Sequence, residues 1–198
     1  MRISAVLVIA AVAGATPTLA QSGVQSQRLI AKGLSLGAQP ADTPLAAIWQ
    51  DRLAAERQKL ASLAKSSPAS PMPSYAASVA VFEASFKDGD RTIIVSALFT
   101  TPECQNFSGA AAPSLNNCPM RVAILRNGQI RVAASELDFP FVATLKETPD
   151  NQAVEYDNVT QRDKTIVVFN PATHEITTTL TMNGVLDTEK ATPIHVAY

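Results

Sequence analysis

From residue 75 onward, hydrophobic and polar residues alternate in short runs. In the run at 77–86, Phe82 and Phe86 lie on the same side as two alanines, and the run at 91–99 alternates in the same way. A period of two residues predicts β-strands that bury one face. The Asp88-Gly89 pair between the two runs is a typical hairpin signal, so we expect the two strands to be antiparallel neighbours.

The same pattern recurs along the rest of the chain. Asn127-Gly128 and Asn183-Gly184 each separate two alternating runs, as expected for two more hairpins. Further short runs lie at 139–147, 153–160, 164–170 and 193–198. The fold class is therefore predicted to be mainly β: residues 75–198 form a single antiparallel sandwich or barrel-like domain of eight to nine short strands.

Residues 43–65 have a helical period instead. Thr43 can cap the helix and Pro44 suits its first position. At 100° per residue, the larger apolar side chains fall on one face, although Arg52 and Glu56 lie at its edge. These apolar residues are Leu45, Trp49, Leu53, Leu60 and Leu63. The helix either packs on its own domain or docks on a partner, and in the second case Trp49 and Leu53 are the expected contact residues.

The segments that flank this helix have turn and loop compositions. Residues 21–42 contain three glycines and a proline, and we expect a flexible leader with a transient helix at 27–36. Residues 66–74 contain three prolines and four serines, which predicts an extended linker between the helix and the β domain.

The first twenty residues have the pattern of a secretory signal peptide. Arg2 precedes an uncharged run, Pro17 interrupts it, and small residues lie before a cut after Ala20. The rest of the chain has no run long and apolar enough for a transmembrane helix. We therefore expect a mature chain that is periplasmic or secreted.

The charge balance argues against one class of partner. The chain has 16 basic and 17 acidic residues, for a formal net charge of −1, and no basic cluster longer than a pair. A surface that follows a phosphate backbone needs a clear excess of positive charge. Nucleic acid is therefore not expected as a partner.

Cys104 and Cys118 are the two cysteines of the chain. Their spacing fits neither a redox pair nor a zinc ribbon, and in an exported chain it favours a disulfide. Closing such a loop would stabilise the fold by about 3 kcal/mol in the chain-entropy treatment. The segment between them has few large apolar groups, chiefly Phe107 and Leu115, and we expect these two side chains to contact a binding partner.

Signals for catalysis are weak. No nucleophile elbow or phosphate-binding loop occurs, and two histidines are too few to indicate a metal site. We therefore assign no catalytic residue, metal or cofactor, and an enzyme is the less favoured interpretation. One alternative is a hydrolase of cell-wall or extracellular polymer, with Glu136 and Asp138 as a carboxylate pair and His174 nearby. A second is a carrier of small apolar ligands with a hollow interior.

The interpretation that fits these observations best is an exported, non-enzymatic module of the cell envelope. It would bind a protein, as an inhibitor, a chaperone or a component of a larger apparatus. The expectation rests on a stapled loop on a β scaffold, since recognition loops are often presented in this way.

Overall fold

The computed structural model describes residues 23–36, 43–66, 78–100, 104–106, 115–142, 144–147, 154–157, 164–182, 184–187 and 193–198. Within these ranges the chain forms two α-helices and thirteen β-strands, and the strand pairs are antiparallel. The predicted signal peptide, residues 1–20, and most of the predicted linker lie outside the described residues.

The strands form two main sheets. The small sheet contains β1 (Gln25–Arg28), β10 (Lys164–Asn170), β11 (Glu175–Met182), β12 (Val185–Leu186) and β13 (Ile194–His195). The large sheet contains β2 (Ile30–Ser35), β3 (Ser78–Asp88), β4 (Arg91–Phe99), β5 (Gln105–Asn106), β6 (Leu115–Arg126) and β7 (Gln129–Val142). A separate pair is formed by β8 (Thr144–Glu147) and β9 (Val154–Asp157).

Strand order follows the predicted hairpins only in part. The large sheet runs β2-β3-β4-β6-β5, with β7 also paired to β6, and the small sheet runs β1-β10-β11-β12, with β13 paired to β11. The strand pairs that flank the three predicted hairpin turns are present. Asn127 and Gly128 both have positive φ, 51° and 77°, as a type I′ turn requires.

The two sheets pack face to face as a sandwich. The core between them includes Phe82, Phe86 and Ile93 from the large sheet, and Val167 and Phe169 from the small sheet. All five side chains are almost completely buried. The fold is therefore mainly β and sandwich-like, as the alternating pattern predicts.

The helices form a third layer on the opposite face of the large sheet. Helix α1 (Pro44–Ile48) and helix α2 (Gln50–Ser66) are separated by a turn at Trp49. The Thr43 hydroxyl accepts a hydrogen bond from the Ala46 N–H at 3.2 Å, which confirms the predicted cap. Because both of its faces are covered, β4 is buried on both sides, with Ile93 and Val95 in the sandwich core and Ile94 and Leu98 under the helices.

Residues 25–35 differ from the expected flexible leader with a transient helix. They form β1 and β2, and the chain crosses from the small sheet to the large sheet at Leu29, which is 1% exposed in the sandwich core. The sequence of this segment lacks the alternation that marks the other strands, and three of the four residues of β1 are exposed. Its strand conformation depends on pairing with β10 and β3, which lie far away in sequence.

Two glutamines of β1 make hydrogen bonds to the backbone of β3 beyond Glu83, the last residue of β3 that pairs with β2. The Gln25 side-chain amide donates to the Lys87 carbonyl at 2.6 Å, and its oxygen accepts from the Lys87 N–H at 3.2 Å. The Gln27 oxygen accepts from the Ser85 N–H at 3.1 Å. Side-chain amides have the same donor and acceptor groups as a peptide. They therefore cover the part of the β3 edge that β2 does not reach.

Candidate functional site

The helix residues expected to contact a partner lie inside the protein. Trp49 is 0% exposed and Leu53 is 1% exposed, and both belong to the core between the helices and the large sheet. The helix therefore packs on its own domain, which is one of the two arrangements that the sequence allowed. Trp49 and Leu53 present no surface to a partner in this structure. The later apolar residue Leu63 remains 51% exposed.

Two polar residues of the large sheet hold this helical layer. The Trp49 indole donates from Nε1 to the Ser96 hydroxyl at 3.0 Å. Arg121, directly opposite Ser96 in the sheet, stacks over the indole at 4.5 Å and donates to the Ile48 carbonyl at 2.7 Å. Its guanidinium also makes two hydrogen bonds to the Asp51 carboxylate. These contacts connect the helical layer to the large sheet.

The structure places His174 far from Asp138, one of the two residues of the predicted carboxylate pair. Asp138 lies opposite Pro119 on β6, whereas Gln129, at the start of β7, lies opposite Arg126. Pro119 and Arg126 are roughly 23 Å apart along β6 at about 3.3 Å per residue. His174 contacts Tyr198, which lines a cleft with Arg126 and therefore lies at the far end of β6 from Asp138. The side chains of Glu136 and Asp138 are not among those described.

The predicted disulfide is present. Cys104 and Cys118 are joined with a Cα–Cα distance of 4.3 Å. Cys118 lies in the sandwich core and is 1% exposed, so the bond fixes the segment after β4 to the interior of β6. Phe107 lies outside the described residues, and only the backbone of Leu115 is described, at the start of β6. Their predicted role in binding stays a prediction.

The space between the sheets is filled with side chains. Phe82, Met120 and Phe169 are each 0% exposed and belong to one continuous cluster. A carrier of apolar ligands would need a cavity in this position. The described part of the sandwich core therefore offers no support for the carrier hypothesis.

A cleft lies at the end of the sandwich that carries the turn between β6 and β7. It has a volume of about 410 Å³, and we refer to it as the arginine cleft. Its lining comprises three arginines, two isoleucines, two amide side chains and a tyrosine: Arg91, Arg126, Arg131, Ile124, Ile130, Asn127, Gln129 and Tyr198. A cleft of this size can hold a small ligand or a few residues of a partner.

Strand register explains why the arginines converge. Arg91 lies opposite Arg126, and Ile124 lies opposite Arg131. Residues directly opposite in antiparallel strands point to the same face, as do residues two apart in one strand. The three arginines therefore lie on the face of Ile93 and Ile124, which is the face that packs against the small sheet. They occupy this face just beyond the point where apolar packing ends.

One acidic residue partly balances the arginine cleft. Arg126 Nε donates to Asp90 Oδ2 at 2.7 Å, and Arg91 Nε lies 4.0 Å from the other Asp90 oxygen. The hydrogen bond from Arg126 holds the pKa of the exposed Asp90 carboxyl below its usual range. Arg131 donates to the Ala197 carbonyl at 2.6 Å, and no carboxylate of the described chain lies within 4 Å of it.

Tyr198 forms one wall of the arginine cleft. Its hydroxyl donates to Asp88 Oδ2 at 2.5 Å, the Arg91 guanidinium lies 4.3 Å from its ring centre, and the His174 ring meets it edge to face. Burial and the hydrogen bond to Asp88 raise the pKa of Tyr198 above its usual range. The phenol therefore keeps its proton at neutral pH, which makes it a poor general base.

The arginine cleft was not predicted from the sequence. Arg91 follows one hairpin turn and Arg126 precedes another, and this position beside a turn was the available signal. The two arginines become neighbours only because β4 pairs with β6, and strand order could not be read from the alternating pattern. The cleft also depends on the return of residues 193–198, whose Val196 is buried in the sandwich core.

Comparisons with other proteins assign no family. No protein-family model, curated protein or solved structure matches this chain. Among the residues that the structure describes, no group of His, Cys, Asp and Glu side chains is arranged to hold a metal ion. Within the same residues, no helix has both the length and the apolar character needed to cross a membrane. The disulfide is compatible with an extracytoplasmic protein.

Proposed function

We propose that the protein is an exported, non-enzymatic module of the cell envelope, periplasmic or secreted, that binds another protein through the arginine cleft. The observation that carries this proposal is the register of Arg91, Arg126 and Arg131 on one face of the large sheet. Guanidinium groups are favoured where carboxylates of a partner are recognised, because their planar donors match both carboxylate oxygens.

The rest of the scaffold supports binding rather than catalysis. The buried Arg121 is engaged with Asp51 and the helix backbone. Beside the arginine cleft, Tyr198 keeps its proton and donates a hydrogen bond to Asp88. A rigid sandwich that holds cationic groups at its end fits recognition of an acidic surface.

The proposal is tested by affinity capture from cell-envelope extracts with three forms of the full chain. These are the wild type, the cleft variant Arg126→Glu/Arg131→Glu, and a control variant Arg28→Glu/Lys65→Glu. The control makes the same change in net charge at β1 and at the end of α2. We expect the wild type and the control to retain the same partner, and the cleft variant to lose it. Recovery of that partner by the cleft variant would contradict the proposal.

The segment between the two cysteines is a second candidate contact surface for the same function. The observation in its favour is that the disulfide joins both of its ends to the scaffold. Loops held in this way lose less conformational entropy on binding. In the same capture experiment, Phe107→Ser/Leu115→Ser should lose the partner if this segment is the contact surface, and it should retain the partner if the arginine cleft alone binds it.

A further inference from the structure

The arginine cleft combines opposed positive charges with little local compensation. Arg91 and Arg126 are direct cross-strand partners, and like charges in that position destabilise a sheet. Asp90 contacts both arginines, and Asp88 accepts a hydrogen bond from the Tyr198 hydroxyl. Among the described side chains at this end of the sandwich, two carboxylates thus accompany three guanidinium groups. An anion between the arginines would relieve the repulsion.

The arginines also retain donors that no described residue uses. Arg126 contacts Asp90 through Nε, and its two terminal nitrogens have no hydrogen-bond acceptor among the described residues. Arg131 uses one terminal nitrogen, on the Ala197 carbonyl, and has no acidic partner in the described parts of the chain. A guanidinium with two unused N–H groups on one edge can bind both oxygens of a carboxylate.

The remaining lining of the arginine cleft is apolar or uncharged. Ile124 is 6% exposed and Tyr198 is 41% exposed, and both line the cleft. Asn127 and Gln129 add amide groups at the turn. A small inorganic anion would contact only the arginines and the two amides. A carboxylate attached to an apolar group would contact Ile124 and the tyrosine ring as well.

We propose that the arginine cleft binds a carboxylate carried on an apolar group. Arg126 and Arg131 hold the carboxylate oxygens, and Ile124 and Tyr198 contact the apolar part. The expected natural ligand is an acidic residue beside an apolar residue in a protein partner. Only this identification of the natural ligand rests on the proposed function. The carboxylate site itself stands on the geometry of the cleft.

The probe for this site is 3-phenylpropionate, with 3-phenylpropionamide, acetate and inorganic phosphate as comparisons. Calorimetric titration of the full chain at low ionic strength should give a dissociation constant for 3-phenylpropionate at least tenfold lower than for each comparison compound. The amide has the same apolar group without the charge, and acetate has the charge without the apolar group. Equal binding of the amide, or of phosphate, would overturn the proposal.

Variants separate the carboxylate contact from general charge. Arg131→Met should weaken binding of 3-phenylpropionate at least tenfold, Arg131→Lys should recover only part of the affinity, and Arg28→Met on β1 should leave it unchanged. Because a substitution can affect folding, each variant is first compared by thermal unfolding without ligand. A folded Arg131→Met protein that binds the probe as the wild type does would also overturn the proposal.

The two proposals can fail separately. If 3-phenylpropionate binds in an Arg131-dependent way but Arg126→Glu/Arg131→Glu captures the same envelope proteins as the wild type, the carboxylate site stands and the proposed protein-binding role of the cleft fails. If capture depends on the cleft arginines but 3-phenylpropionate binds no better than its amide, the proposed function stands and the carboxylate site fails.

Discussion

Arg121 of the large sheet donates two hydrogen bonds, of 2.6 Å and 2.7 Å, to the Asp51 carboxylate of helix α2. The same guanidinium donates to the Ile48 carbonyl at the end of α1 and stacks on the Trp49 indole. The arginine side chain is 8% exposed, whereas the Asp51 side chain is 57% exposed. One residue of the sheet thus fixes the junction between the two helices.

Replacement of Arg121 should therefore weaken the attachment of the two helices to the large sheet. Arg121→Met keeps apolar contact with Trp49 but leaves the Ile48 carbonyl and the Asp51 carboxylate without their donor, and it should lower the free energy of unfolding by about 2 kcal/mol. Arg126→Met is the matched control on the same strand. Because Arg126 is half exposed, its loss should change the free energy of unfolding by less than about 1 kcal/mol. Urea unfolding measures both, and equal losses would contradict this role of Arg121.

The Asp51 contact predicts a pH dependence. The hydrogen bonds from Arg121 lower the pKa of Asp51 from its ordinary value of 3.8 to about 2. Its stabilising effect is therefore complete above about pH 4 and is lost as the pH falls through about 2. For this half-exposed carboxylate, solvent screening limits the effect to about 1 kcal/mol. Unfolding of wild type and Asp51→Asn should differ at pH 6 and converge near pH 2, and a difference that grows with acid would contradict the assignment.

The Trp49–Ser96 hydrogen bond predicts coupling between two buried residues. Trp49→Phe leaves the Ser96 hydroxyl without its described donor and should cost about 2 kcal/mol, and Ser96→Ala alone should cost about 1 kcal/mol. In the double variant neither group is left unpaired. The double variant should therefore lose about 1 kcal/mol less than the sum of the single losses. Additive losses in urea unfolding would show that the bond contributes nothing of its own.

The glutamines of β1 should protect the edge of β3. Gln25→Ala/Gln27→Ala removes the three contacts to the Ser85 and Lys87 backbone, at a cost of about 1–2 kcal/mol. Amide hydrogen exchange should accelerate at Ser85 and Lys87 in this variant and stay unchanged in Ser26→Ala, which alters the intervening residue. Unchanged exchange at both amides would mean that water replaces the glutamines without loss.

The disulfide should be complete in the native protein. Alkylation followed by mass spectrometry should modify no cysteine before reduction and both cysteines after it. Reduction should lower the free energy of unfolding by about 3 kcal/mol. The segment between the cysteines should become accessible to protease before the strands unfold. Modification of either thiol in the unreduced native protein would contradict the bond.

The hairpins could be predicted because their signals are local. Asn127-Gly128 needs only its own backbone conformation to define a turn, and the alternating run at 91–99 defines a strand in the same way. The cap at Thr43 is local as well. The mainly β sandwich could therefore be predicted from sequence pattern, together with the helix before it and the disulfide.

The features that the sequence did not predict depend on contacts between strands that are far apart in sequence. Ser96 and Arg121 each interrupt an apolar run, and their shared role is visible only once β4 lies beside β6. The arginine cleft has the same origin, since Arg91 and Arg131 are separated in sequence and meet through β6. The strands at 25–35 form through partners that the local pattern does not specify.

The passage of the chain from the small sheet to the large sheet at Leu29 has a consequence for the order in which the two sheets form. Gln25 pairs with Phe169, so the first described strand finds its partner only after nearly the whole chain has been made. Until β10 arrives, the small sheet does not cover the apolar face of the large sheet, and β1 lacks the strand with which its backbone pairs. Such long-range pairing is slow and leaves strand edges open to association between molecules. The last step of folding should therefore be closure of the small sheet, and agents that hold unfolded chains apart should raise the yield of refolding.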